Sequence, residues 1–131
     1  MENKKFLYSV YIETYFSSAH KLKNYKGKCE NLHGHNWKIC VEVSKEKLDK
    51  QQMVIDFVKL KEIVNKIIKN IDHKYLNEIN YFKLNQPTAE NIAKYVCDNL
   101  KILLKKYKIK KIKITVWETP LQYASYEEEI E

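Results

Sequence analysis

Phe16-Ser17-Ser18-Ala19-His20 and, further on, Cys29-Glu30-Asn31-Leu32-His33-Gly34-His35-Asn36-Trp37 hold three of the four histidines and one of the three cysteines in the chain. His33 and His35 are two positions apart, so in an extended segment both project to one side, with only Gly34 between them. A loop that folds back brings His20 to that pair. Three imidazoles from two segments are the protein share of many catalytic zinc sites, whose fourth coordination position is left for water or substrate. Iron or another divalent ion accepts the same nitrogens. A lone histidine is ordinarily structural or exposed; the His-x-His pair with a third His is what points to Zn2+ on His20, His33 and His35.

Outward from this stretch, residues 6–16 are rich in aromatic and β-branched types and read as a strand. Phe6, Tyr8, Val10, Ile12 and Phe16 share one face, and Tyr11, Glu13 and Tyr15 the other. Residues 17–34 read as a polar connection. Residues 35–44 resume a strand antiparallel to the first, with Trp37, Ile39, Val41 and Val43 facing inward. Asp56 suits an N-cap. After it, Phe57, Leu60, Ile63, Val64, Ile67, Ile68 and Ile71 recur at helical spacing, and the helix ends near Asp72-His73.

Residues 74–86 read as a connection, and Pro87-Thr88-Ala89-Glu90-Asn91 opens a second helix. Thr88 is its N-cap and Glu90 sits at the positive end of the helix dipole. Its apolar stripe is Ala89, Ile92, Ala93, Val96, Leu100, Leu103 and Leu104. Lys110–Trp117 alternates as a third strand and Glu118-Thr119-Pro120 makes a tight connection. A fourth strand spans 121–126, and 127–131 reads as a frayed acidic tail. The order β-β-α-α-β-β predicts an α+β fold, an antiparallel four-stranded sheet with two helices on one face. The other face, with Tyr11 and Tyr15, needs covering and predicts an oligomer.

At 131 residues, 44% hydrophobic and 31% charged, residues 1–131 are expected to form one domain. With no apolar run of membrane-spanning length and no signal-peptide pattern, neither membrane association nor export is expected. Cys29, Cys40 and Cys97 are an odd number without framework spacing, which favours a reducing compartment and a cytoplasmic protein. Cys40 and Cys97 read as packing residues. The net charge of +7 comes from lysine alone, with no arginine. Without guanidinium forks a nucleic-acid partner is not expected, whereas a modest positive field attracts an anionic small molecule.

Three further positions carry chemistry. Cys29 reads as a fourth ligand closing the site, as a thiolate base beside the metal, or as a small packing residue. Asp72-His73 is a polar helix end or a dyad in which the carboxylate orients an imidazole that exchanges protons. Glu118, in phase with Ile112, Ile114 and Val116, sits on the apolar strand face and needs a partner. A guanidine-like edge such as that of a 2-aminopyrimidinone would satisfy it bidentately; a salt bridge to a lysine is the other reading.

Phe16-x-x-Ala19-His20-x-Leu22, Cys29-x-x-x-His33-Gly34-His35-Asn36, Val54-Ile55-Asp56-Phe57, Asp72-His73-x-x-Leu76-Asn77, Pro87-Thr88-x-Glu90-Asn91 and Glu118-Thr119 stand in order along the chain. Together they resemble the 6-pyruvoyl-tetrahydropterin synthase superfamily. The Cys29–His33 spacing is similar to its bacterial and archaeal branch, the 6-carboxy-5,6,7,8-tetrahydropterin synthases of queuosine biosynthesis. Gln52, where family members often have Gly, and Ile71, where Leu is common, are departures away from the chemistry.

The resemblance implies the tunnelling fold, with sheets of a trimer joining into a barrel, trimers stacking as a hexamer, and active sites at subunit interfaces. It implies a zinc-dependent lyase acting on 7,8-dihydroneopterin triphosphate, with acetaldehyde and triphosphate released. In it His20, His33 and His35 hold zinc, Cys29 is the base, Asp72 and His73 relay protons, Glu118 anchors the pterin, and Thr88 and Glu90 line its pocket. Lys21, Lys23 and Lys28 flank the site and by their charge suit the phosphates. Two alternatives compete: triphosphate loss without carbon–carbon cleavage, giving the 6-pyruvoyl product, and an RNA-binding module with a closed structural zinc.

Overall fold

The computed structural model describes residues 6–24, 26–27 and 31–131. Strand β1 runs Tyr8–His20 and β2 His33–Lys45. Helix α1 follows at Phe57–Ile68, a short helix α2 at Asn80–Leu84 and helix α3 at Ala89–Leu103. Strands β3, Lys111–Thr119, and β4, Gln122–Glu129, complete the order. The sheet is antiparallel throughout in the order β1-β2-β3-β4. This is the expected α+β arrangement, with α1 packed on β1, and α3 on α1, β3 and β4.

The strand alternation sorts the core. Ile12 and Phe16 of β1, Trp37, Ile39, Val41 and Val43 of β2, and Ile112, Ile114 and Val116 of β3 are buried beneath the helices. They meet Leu60, Val64 and Ile67 of α1 and Ile92, Val96 and Leu100 of α3, the faces that helical periodicity selects. Asp56 caps α1 by accepting from the Val58 and Lys59 amides, and Thr88 caps α3 through the Asn91 amide. Cys40 and Cys97 are buried free thiols, and burial pushes the Cys97 thiol up to about 12.

Several boundaries differ from the expectation. β1 does not stop at Phe16: pairing runs on through Ser17↔Asn36 and Ala19↔Gly34 to His20↔His33. Polar Ser17 and Ser18 belong to the strand because they find tertiary partners. The Ser18 hydroxyl donates to Ile71 O and accepts from the Lys74 amide, while the Ser17 amide donates to Asp72. Residues 74–86 contain α2 and a 3-10 turn at Leu76–Glu78. Phe6, Tyr8 and Phe57 lie exposed although in phase with core positions, because the strand and helix overhang the core there. Leu103, at the last turn of α3, is exposed too.

The acidic tail is not frayed. Glu127, Glu128 and Glu129 pair with Lys113, Ile112 and Lys111 across β3–β4, and Lys101 of α3 forms an ion pair with Glu128. Nor is Glu118-Thr119 a turn: β3 includes both. The register shifts between Trp117 and Thr119, so Glu118 is the extra residue of a β-bulge.

Candidate metal centre and active site

The β1–β2 ladder ends on the pair His20↔His33, two residues from His35. Even-numbered positions of β1 and odd-numbered positions of β2 face the helices, so all three imidazoles emerge on the helix side at the strand ends. Trp37 is fully buried beneath them, its ring edge-on to His20 at 4.9 Å and to His35 at 5.1 Å between centroids. Its indole N–H is satisfied by Ser18 O. Gly34 leaves open space where a Cβ would stand. Glu118 continues the inward phase of Ile112, Ile114 and Val116 at the β3 bulge, and one ligand atom from each of His20, His33, His35 and Glu118 lies within 4.8 Å of the other three.

The tautomers follow from the carbonyls around the cluster. His20 Nδ1 lies 2.7 Å from Pro87 O, and His33 Nδ1 lies 2.7 Å from Asn31 O. A carbonyl only accepts, so both Nδ1 atoms carry hydrogens and both Nε2 atoms present lone pairs. Those two Nε2 atoms face each other at 3.0 Å. With both Nδ1 atoms carrying the hydrogens, the two Nε2 atoms cannot share a hydrogen bond there, whereas a cation between them satisfies both. His35 Nε2 is likewise buried without a hydrogen-bond partner among the described residues, and stands 3.4 Å from Glu118 Oε1. Burial lowers the pKa of His20, and that of His35 against the pull of Glu118, so both rings are neutral ligands at pH 7. Backbone carbonyls behind imidazoles are the usual orienting shell of a zinc site. The donor set fits a divalent cation of the zinc kind.

Three cavities meet at this cluster. One of about 330 Å³ is lined by His20, Thr88, Glu90, Glu118 and Tyr123. A second, about 620 Å³, lies between His35, Glu118, Trp117, Lys38 and Tyr15. The third, about 520 Å³, brings His35 together with His73, Lys74 and Tyr75. Thr88 and Glu90 at the start of α3 and Glu118, distant in sequence on β3, therefore share one cavity with a candidate metal ligand.

Asp72 and His73 stand outside the ligand cluster, and His73 lines the third cavity. The Asp72 carboxylate accepts from the Ser17 amide and from His73 Nδ1, each at 2.9 Å, which leaves His73 Nε2 exposed and free to take a proton. His73 adopts φ 55, a left-handed conformation that a non-glycine residue holds at a cost. Its amide is tied to Ser17 O, and the adjoining Lys74 O accepts from Ala19 N, so this segment runs beside β1 as an edge. Cys29 and Lys28 lie outside the described residues. Lys21 and Lys23 are exposed, their amides held by the side chains of Asn77 and Gln86. Sequence reasoning missed Pro87 and Asn31, which act through main-chain carbonyls and so leave no side-chain signature.

The fold and cluster define an α+β protein with a candidate mononuclear metal centre at the ends of its strands. The chain belongs to the 6-pyruvoyl tetrahydropterin synthase family, whose model matches residues 9–129, and so to a family of pterin synthases. A putative 6-carboxy-5,6,7,8-tetrahydropterin synthase of Archaeoglobus fulgidus is 45% identical over 82 residues, 63% of this chain and 66% of that protein. The 6-carboxy-5,6,7,8-tetrahydropterin synthase of Haemophilus influenzae is 33% identical over 93% of this chain and its own full length. Among solved structures, Caenorhabditis elegans 6-pyruvoyl tetrahydropterin synthase superposes with a TM-score of 0.80 at 28% identity, covering 98% of this chain and 100% of that one. Among the described residues no helix is long and apolar enough to cross a membrane.

Proposed function

We propose that this chain is a zinc-dependent lyase that converts 7,8-dihydroneopterin triphosphate and water to 6-carboxy-5,6,7,8-tetrahydropterin, acetaldehyde and triphosphate, in the cytoplasm, for 7-deazapurine (queuosine-type) biosynthesis. The observation that carries this reading is the pair of bare Nε2 atoms of His20 and His33 at 3.0 Å, with His35 and Glu118 beside them. The relatives named 6-carboxytetrahydropterin synthases support the choice of product. The ring gains the electrons that the side chain loses, so the conversion needs no external reductant.

His20, His33 and His35 would hold zinc, whose Lewis acidity polarises the hydroxyl oxygens of the substrate side chain. Cys29 takes and returns the carbon-bound proton. His73 Nε2, its other nitrogen fixed by Asp72, exchanges protons from the cavity it shares with His35. Glu118, with Thr88 and Glu90 in the same cavity, accepts from the N–H edge of the pterin. Exposed Lys21 and Lys23 suit the triphosphate.

The assembly we assign is a trimer or a dimer of trimers with interfacial sites, its sheets closing into a barrel. Tyr8, Tyr11, Tyr15 and Tyr123 stay exposed in a single chain, and β1 and β4 are the edge strands of its sheet. Sedimentation velocity tests this, and a monomer at micromolar concentration would count against it.

The reaction test is to incubate the zinc-loaded protein with 7,8-dihydroneopterin triphosphate and to assay acetaldehyde alongside product mass. Cys29→Ala and His73→Ala are expected to retain fold and zinc while turnover falls by about 10²- to 10⁴-fold. A second reading, triphosphate elimination to the 6-pyruvoyl product, is favoured by the likeness to the C. elegans 6-pyruvoyl structure. It predicts triphosphate without acetaldehyde. Loss of zinc and of folding in Cys29→Ala would favour a closed structural site instead.

A further inference from the structure

We propose that Glu118 has two alternating partners: in the substrate-free protein its carboxylate fills the fourth coordination position of the metal, and the pterin draws it away. This rests on the proposed function and assigns that residue a second role. A tetrahedral site with zinc–ligand bonds of 2.0–2.2 Å separates its ligand atoms by about 3.3–3.6 Å. His35 Nε2 and Glu118 Oε1 are 3.4 Å apart, and the His20 and His33 Nε2 atoms 3.0 Å. All four ligand atoms lie within 4.8 Å of one another, which puts the carboxylate within reach of a cation held by the three imidazoles.

The backbone explains how a carboxylate comes to be there. Trp117 pairs with Tyr123 and Thr119 with Gln122, which leaves Glu118 as the unpaired residue of the bulge. Alternation sets Glu118 on the face of Ile112, Ile114 and Val116, and the bulge places it just past the last paired residue of that face. Among the described residues no lysine forms an ion pair with the carboxylate; it stands beside His35, and its side chain is about four-fifths buried. A buried carboxylate needs a cation or several donors, and a divalent ion ringed by three neutral imidazoles is the strongest available.

The same carboxylate lines the cavity that holds Thr88 and Glu90 and also the one that holds Trp117 and Lys38. Lining both cavities, the carboxylate has open space on two sides in which to leave the metal for a 2-amino-4-oxo pterin edge, which offers two parallel N–H donors. Binding of the correct heterocycle would thereby open the coordination position that the substrate hydroxyls require. Water and non-pterin diols would meet a closed metal.

Cobalt(II) reports the coordination sphere without turnover. Metal-free wild type, Glu118→Gln and Glu118→Ala are titrated with cobalt(II), and their visible spectra followed from pH 6.5 to 9. Loss of a partner outside the coordination sphere already costs about 10- to 100-fold in metal affinity. Both variants are therefore expected to bind cobalt at least about 10-fold more weakly. In Glu118→Ala a water takes the vacated position and ionises in this range, as metal-bound water does at about pH 7 to 9. Its spectrum changes with pH and the wild-type spectrum does not.

Neopterin, a pterin with the same side-chain hydroxyls, is then expected to change the wild-type spectrum at saturation. Equal affinities and equal pH dependence in wild type and Glu118→Ala overturn the proposal. So does a sulfur-to-cobalt charge-transfer band in wild type that Cys29→Ala abolishes, or a wild-type spectrum unmoved by bound neopterin. Wild type that binds no cobalt at all would instead refute the metal-dependent reading itself, so the two failures are distinguishable. Glu118→Gln, nearly isosteric, keeps the comparison valid where the alanine variant does not fold.

Discussion

If a cation belongs between the bare nitrogens of His20 and His33, supplying it should stabilise the fold by an amount that can be worked out beforehand. A ligand that binds only the native state at one hundred times its Kd adds about 2.7 kcal/mol. Unfolding entropy is about 2.1 cal/mol/K per residue, so 131 residues carry roughly 0.28 kcal/mol/K. The expected rise in melting temperature is about 10 °C. The assay is differential scanning calorimetry at one protein concentration, first in chelator and then with excess Zn2+. His33→Ala is the control. His33 sits at the rim, so truncation leaves the packing intact while removing one of the two opposed lone pairs. The variant should lose most of the zinc-dependent rise and little of the chelated melting temperature. Equal melting temperatures with and without zinc in wild type, or the same rise in His33→Ala, would refute the reasoning.

Acidification should destabilise the metal-free protein. Burial lowers the pKa of His20 and His35 in the folded state, so from their ordinary value of 6.5 downward the unfolded chain binds protons first and stability drops with pH. Urea unfolding between pH 8 and 5 in chelator should show a plateau above about pH 6.5 and a decline below it. Asp72→Asn removes the charge behind His73 but keeps its shape; turnover should fall by about 10²-fold with KM little changed, measured by steady-state kinetics. Gln52 holds φ 64, and Gln52→Gly should stabilise the chain by up to about 1 kcal/mol, read as a higher urea midpoint.

Much of the fold and of the candidate metal ligands was legible because alternation of period two and helical spacing record burial directly. Trp37, Ile39, Val41 and Val43 announce an inward strand face, and His33 and His35 lie in phase with them. Ser17 and Ser18 hid the end of β1, since their strand conformation depends on residues 71–74, distant in sequence. Glu127–Glu129 resembled a solvated tail until Lys101 and Lys111 were placed opposite them. Five-residue α2 is too short to show periodicity. The inward phase of Glu118 was legible from Ile112, Ile114 and Val116; the bulge at that position was not, because it inserts one residue without any mark on composition.

The His20↔His33 pairing at the end of the β1–β2 ladder also bears on how the chain folds. Sliding one strand by a single residue would send His20 to the opposite surface, and sliding by two would move it about 7 Å from its mate. A two-residue slip in one sense still sets His20 opposite His35, so it is the one-residue slips that cannot clasp an ion. A metal captured early would therefore proofread the hairpin against one-residue slips, which leave His20 on the wrong surface.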